Sequence, residues 1–354
     1  MINYIFRKLA YGLLVLFGVI TLVFFLFQGF GDPASIVMGQ TSDPKTKQNI
    51  QKELMLIDET GKPIPIIKQY FYYLNDLSPI SFHSSESIEK RKLKGLFIGG
   101  NIKFGIKIPY LRKSYQTKRE VGAVLIQALP GTILLSLVAM LIAIAIGIPL
   151  GVLAAVKKNT IWDSGAVFSS ILGISAPSFF MGIIMVYLFG FVLNNYTGLS
   201  IAGSWFFIDH SGNKAWSIEN LILPAITLGI RPLAIITQLT RSSMLDVLDQ
   251  DYVRTAFAKG LAKRTVIFKH ALKNALNPVI TAITGWFAEL LAGAFFVEYI
   301  FGWQGIGKVT VDALSKLDYP IVMGSVLVSA IFFILMNLIA DLIYGWIDKR
   351  VTVS

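Results

Sequence analysis

Long apolar runs constrain this chain more than any other feature. The run "LAYGLLVLFGVITLVFFLFQGF" (9–30) holds no charged residue, and further apolar runs lie near 121–156, 163–193, 220–244, 276–300 and 321–347. A helix needs about 20 apolar residues to cross roughly 30 Å of hydrocarbon, where the backbone must satisfy its own hydrogen bonds. The runs therefore predict membrane-spanning helices. Composition agrees: of 354 residues, 54% are hydrophobic and 15% charged, against about 25% charged in soluble domains. The first run follows Arg7 and Lys8, as a secretory signal would. It is about twice the length of a signal's apolar region, however, and no small-x-small cleavage site precedes "GDPAS", so it is read as an uncleaved span.

Six spans place both termini on one side. The loops on that side hold twelve Lys and Arg, six of them between 245 and 276, whereas the two short opposite loops hold three, Lys214, Lys308 and Lys316. Positive charge in short loops stays in the cytoplasm, which predicts both termini inside and segment 31–120 outside. The net charge of +11 is then a matter of topology and calls for no nucleic-acid partner. The absence of cysteine excludes disulfides and thiol chemistry. The expected organisation is a first transmembrane helix (1–30), an outer segment (31–120), a five-helix core (121–348) with a cytoplasmic loop (245–276), and a tail (349–354).

Prolines subdivide the plan. Pro130 is expected to split the second run into a surface lead-in, "REVGAVLIQAL", and a span starting near Thr132. Pro149 in "GIPLG" and Pro177 in "ISAPSFFMG" predict kinks or breaks, unless the glycines beside Pro149 serve close helix packing instead.

Few residues suggest chemistry. "GWQGIGKV" (302–309) approaches the phosphate-binding pattern G-x-x-x-x-G-K-[ST], but Val309 stands where a metal-binding hydroxyl is needed and the topology puts the stretch outside. It is read as a glycine-rich turn. His83, His210 and His270 are too dispersed for a shared metal site, and no catalytic triad or carboxylate pair stands out. Four charges lie within or at the edges of spans: Arg231, Glu289, Glu298 and Asp341. A charge in hydrocarbon costs at least about 2.5 kcal/mol, so such groups face a cavity or a partner. Glu289 is the deepest, and it lines a pathway or packs by hydrogen bonds. Glu298 and Asp341 sit near span ends, where solvation is easier, and are expected to be hydrogen-bonded packing residues rather than pathway groups.

The loop "TRSSMLDVLDQDYVRTAFAKGLAKRTVIFKHALKNALNPVIT" (240–281) has helical composition. Tyr252, Ala256 and Lys259 share one helical face, and Val253, Ala256 and Gly260 share a neighbouring one. Small residues at 256 and 260 would let another backbone approach, and Gly260 suits a left-handed helix end. Such a helix would transmit force from a soluble partner; a basic helix lying on anionic lipid is the alternative.

Together "DYVRTAFAKGL", "HALKNALNPVI", "GDP" (31–33), "GIPLGVLAAVKK" (147–158), "LPAITLG" (223–229), "RSSML" (241–245), "LLAGAFFVEYIF" (290–301) and "GWQGIGK" (302–308) resemble the permease subunits of dipeptide and oligopeptide ABC importers, over most of the chain outside roughly 58–110. The resemblance implies an all-α, six-helix type I importer permease of the bacterial inner membrane; the outer insertion after the first helix is longer than is usual in that family. It implies a non-catalytic subunit that moves peptides inward. Its partners would be a second homologous permease, two cytoplasmic ABC ATPase subunits that bind ATP and Mg, and an outer solute-binding protein; this chain itself would hold no cofactor. Asp251, Tyr252, Arg254, Thr255, Ala256, Lys259, Gly260 and Leu261 would form the helix that docks on an ATPase. Arg254-Thr255-Ala256 stand where the broader importer motif begins Glu-Ala-Ala, as is usual in the peptide branch. Glu289 and Arg231 occupy places where uncharged residues are expected, and are candidates to line the pathway. Competing functions are an ABC permease for nickel chelates or glycan-linked peptides and an ion-coupled secondary transporter, although inverted repeats typical of the latter are not evident. The outer segment, with 15 basic and nine acidic residues, would help dock the binding protein or guide an anionic or neutral substrate, or would be a solvated insertion.

Overall fold

A computed structural model describes residues 2–29, 48, 51–52, 56–58, 60–199, 201–204, 206–208 and 214–347. Most of 30–59, His210 and the tail 349–354 lie outside them.

The chain is mostly helical. Its long helices are α1 (Ile2–Gln28), α4 (Val121–Val156), α5 (Ile161–Ser175), α6 (Ser178–Tyr187), α7 (Glu219–Leu248), α9 (Leu272–Gly293) and α12 (Tyr319–Ile347). Shorter ones are α2 (Ile66–Leu77), α3 (Ser85–Arg91), α8 (Asp251–Ala258), α10 (Phe295–Ile300) and α11 (Ile306–Ser315). Among the described residues α1, α4, α7 and α12 are long and apolar enough to cross a membrane, and the pair α5–α6 makes a fifth span if counted as one. The expected span near 276–300 corresponds to α9, whose 22 residues reach about 33 Å at 1.5 Å per residue but which is not among the helices apolar enough to cross.

Proline had different effects at different places. At Pro177 the chain breaks, and α5 and the apolar stretch after it meet at 109°. At Pro130 and Pro149 it does not: α4 continues through both, so the expected surface lead-in is the first turns of one long helix. A proline removes one hydrogen bond, and a helix embedded in a pack of other helices tolerates that loss. Near Pro149 the packing alternative holds, because a Cβ on Gly151 would stand 2.6 Å from the Thr237 carbonyl of α7.

The chain packs as two units. The first comprises Met1–Leu16, Ala128–Val311 and Val328–Ser354. Its core joins Leu135, Ala139 and Ala143 of α4 to Leu223, Leu228 and Ile236 of α7, with Val279 and Leu290 of α9. Beneath it, Asp163 at the start of α5 is buried and takes both an Nε–H and, at 2.9 Å, an Nη2–H of Arg241. Asp341 pairs with Lys8 at 2.9 Å, both partly exposed.

The second unit comprises Phe17–Gln127 and Asp312–Leu327. Here α2 packs on the end of α1: Thr21 Oγ1 and Tyr70 Oη lie 2.6 Å apart, and Phe24 stacks on Tyr73. Next to α2 is an antiparallel sheet in the order β1 (Ile80–Ser84), β3 (Ile102–Lys107), β2 (Gly95–Gly99). The side chains of this sheet are arranged inside out. Ser81, His83 and Lys107 point inward, while Ile80, Phe82, Leu96, Ile98, Ile102, Phe104 and Ile106 are all exposed. The register Ile80↔Ile106, Phe82↔Phe104 and Ile98↔Phe104 gathers the apolar set on one face. The inward polarity follows from a buried charge: Asp76 of α2 accepts from Arg91 at 2.6 Å and Arg112 at 3.2 Å, and Lys107 Nζ donates to its carbonyl oxygen. Burial holds the Lys107 ammonium and the His83 imidazole below their ordinary pKa values.

Candidate functional site

The loop between α7 and α9 is a compact structure built from local signals. Helix α8 opens after Gln250 with Asp251 in its first turn, where a carboxylate complements the helix dipole. It ends at Gly260, whose φ of +77° is the left-handed conformation expected from the sequence. Gly260 N–H donates to Phe257 O at 2.9 Å and Leu261 N–H to Ala256 O at 3.4 Å. These two bonds form the Schellman arrangement that reverses the chain. A short helical turn (Lys263–Thr265) and a π-helical turn (Val266–Ala271) then lead into α9.

Two contacts fix α8 to the ends of two long helices. Val253 and Ala256 are buried with Val266, against Val247 and Leu248 at the end of α7. On the other side, Tyr252 Oη accepts from Asn274 Nδ2 of α9 at 2.8 Å. Displacing α8 therefore displaces the ends of α7 and α9. Ala256 needs a correction here: it was expected on a free face, but it packs on its own chain. The helical periodicity gave two candidate faces, and the Val253 face is inward because Val247, Leu248 and Val266 supply apolar partners. Asp251, Tyr252, Arg254, Thr255, Lys259, Gly260 and Leu261 are exposed, and so is Phe257. The Arg254–Asp251 contact of 3.6 Å is at the surface and contributes little. Tyr252, Phe257 and Leu261 make this loop surface apolar as well as charged.

Arg231 and Glu289 belong to a different region. The Arg231 guanidinium lies 5.3 Å from the ring centroid of Trp286, within range of a cation–π contact. Trp286 and Glu289 are three residues apart on α9 and so share a side of it. The structure thus brings both charges to one side of α9, exposed on this chain.

The glycine-rich stretch has a role beyond the turn expected of it. Glu298, expected to pack by hydrogen bonds near a span end, does so fully buried. Its carboxylate accepts from Thr132 Oγ1 of α4 at 2.7 Å and from the N–H groups of Gly307 and Lys308 at 2.7 and 3.2 Å. Thr132 Oγ1 in turn accepts from Ile306 N–H at 2.8 Å. A Cβ at 307 would come 2.8 Å from Glu298 Oε2, so only glycine lets the α11 N-terminus close on the carboxylate. The resemblance to a phosphate loop is physical: backbone N–H groups at a helix N-terminus cradle an anion, and the anion is the chain's own. The readable signal was an acid nine residues before Gly307.

Among the described residues no cluster of His, Asp and Glu is arranged to hold a metal.

Comparison with known proteins follows the same outline. The family described as binding-protein-dependent transport system inner membrane component matches residues 147–353, and the corresponding N-terminal family matches residues 1–89. The di/tripeptide transport system permease protein DppB of Pseudomonas aeruginosa is 35% identical over 368 residues, covering 99% of both chains. The dipeptide permease DppB of Escherichia coli K12 is 34% identical over 369 residues, and the oligopeptide permease AppB of Bacillus subtilis is 35% identical over 352, again with 99% of each chain covered. Among solved structures, an inward-facing form of the MetNI methionine ABC transporter aligns with a TM-score of 0.50 at 19% identity, over 64% of this chain and 97% of that one. At that identity the likeness shows the fold.

Proposed function

The chain belongs to the binding-protein-dependent transport system inner membrane components, and from that membership we propose that it is one of two permease subunits of an ATP-driven importer of peptides. The relatives named for di-, tri- and oligopeptides support the substrate class. A second homologous permease completes the pathway, an outer solute-binding protein delivers the peptide, and two ATPase subunits bind ATP and Mg; this chain needs no cofactor of its own. Both termini lie in the cytoplasm, in accord with the distribution of Lys and Arg.

The observation that carries the reading is the attachment of α8 to both α7 and α9. In this reading α8 docks on an ATPase through Asp251, Tyr252, Arg254, Thr255, Lys259 and Leu261, with Phe257 added. Ala256 sets the spacing from within, and Gly260 sets the direction of the chain. Closure of the ATPase pair moves α8, and α7 and α9 move with it. Arg231 and Glu289 line the pathway, where they contact the charged ends of a peptide or water. The outer segment docks the binding protein, and its exposed apolar sheet face argues against a merely solvated insertion.

The test is ATP hydrolysis by the complete complex in liposomes, with and without peptide-loaded binding protein. Phe257→Ala with Leu261→Ala removes exposed apolar contact and leaves the inward face intact. Stimulation by loaded binding protein is expected to fall at least tenfold while loading of the binding protein is unchanged. Full stimulation in the double variant refutes the docking role, and failure of a tagged chain to copurify an ATPase refutes the importer reading itself.

A further inference from the structure

A cavity of about 400 Å³ runs along α5, walled by α4 and α7. Leu150 and Leu153 of α4, Trp162 and Gly165 of α5, and Ile230 and Leu233 of α7 give it an apolar surface. The α5 residues along it extend from Ile161 to Gly173, about 18 Å at 1.5 Å per residue. The lining is largely apolar along this length, the surface that a hydrocarbon chain seeks.

One end of the groove is basic. Lys157 and Lys158 are exposed in the turn joining α4 to α5, and Lys157 Nζ lies 5.2 Å from the centroid of the Trp162 ring, itself 56% exposed. Tryptophan and lysine together mark the level of lipid headgroups. The nearby Asp163 does not offset the lysines, because it is paired with Arg241. We propose that this groove binds one acyl chain of an anionic phospholipid, with the headgroup phosphate held by Lys157 and Lys158. The site goes beyond the transport reading and does not depend on it. Each lysine near an anionic headgroup is worth roughly fivefold in affinity, so the pair favours an anionic over a zwitterionic lipid by roughly 30-fold.

The experiment uses the whole complex in vesicles of equal phosphatidylglycerol and phosphatidylethanolamine, extracted in detergent, washed, and assayed for retained lipid by mass spectrometry. Phosphatidylglycerol is expected at about one per chain, enriched at least tenfold over phosphatidylethanolamine. Gly165 lines the groove and a Cβ there meets nothing within 4 Å, so Gly165→Phe puts a ring into the groove and should lower retention at least tenfold. Lys157→Gln with Lys158→Gln should abolish the headgroup preference while the groove remains. Equal retention in Gly165→Phe, or an unchanged preference in the lysine double variant, overturns the proposal. So does a Gly165→Phe complex that sheds the second permease but retains its lipid, which would mark the groove as a protein contact.

Discussion

Glu298 gives a prediction whose size follows from the structure. In Glu298→Ala the N–H groups of Gly307 and Lys308 lose their acceptor inside the protein, and each buried donor left unpaired costs about 1–3 kcal/mol. The Thr132 hydroxyl can rotate toward another acceptor, so the two backbone donors set the scale, about 2–6 kcal/mol. That is a large part of the 5–15 kcal/mol typical of a folded domain. Glu298→Gln keeps the shape and one acceptor for both N–H groups. It presents an amide NH2 to Thr132 Oγ1, which already accepts from Ile306, and it loses the charge assistance that roughly doubles such bonds; about 1–2 kcal/mol is expected. One kcal/mol moves a melting midpoint by about 2–4 °C at this size. The temperature of half-loss of the assembled complex, followed by fluorescence-detected size exclusion, should therefore drop by about 4–24 °C for alanine and about 2–8 °C for glutamine. An alanine variant within 1 °C of the parent would refute the role given to the carboxylate.

Three further outcomes follow from the same structure. Ala256→Trp forces a large ring among Val253, Val266 and Leu248, and overpacking of about 1–3 kcal/mol should lower the melting midpoint before any docking is measured; an unchanged midpoint with lost ATPase stimulation would put Ala256 back on a free face. Lys308→Ala should leave nucleotide binding by the complex unchanged, because Lys308 takes part in the cradle through its backbone N–H; a tenfold loss of ATP affinity would sink that account. His83 is buried and held neutral, so the unfolded chain takes up a proton near pH 6.5 before the folded one does; stability is steady above that pH and falls as pH drops below it. Replacement by Phe should flatten this dependence, and parallel pH profiles of the melting midpoint in parent and His83→Phe would contradict it.

Much of this architecture can be read from the sequence because spans and helix ends are local events. Apolar runs set the long helices, and Gly260 fixed an end. What could not be read depends on contacts made elsewhere. Whether Pro130 splits a helix is decided by what surrounds α4 rather than by the proline. Periodicity identified two faces of α8 but not which one finds Val266. The inside-out sheet is unreadable from strand alternation, which separates polar from apolar faces without saying which is buried; the choice rests on Asp76 and its arginines. Glu298 lies 166 residues from Thr132, a distance no local pattern spans.

The Schellman turn after α8 separates the address of the loop from its frame. The direction of the chain at Gly260 is fixed by a backbone dihedral and two backbone hydrogen bonds, and its anchoring by Val253, Ala256 and Val266. None of these uses the outward side chains. The residues that face solvent at 251, 254, 255 and 259 are therefore free to drift together with whatever surface they meet, whereas Tyr252 is held by its bond to Asn274 of α9. If α8 docks as proposed, exchanging those outward residues between related permeases should redirect pairing without rebuilding the membrane part.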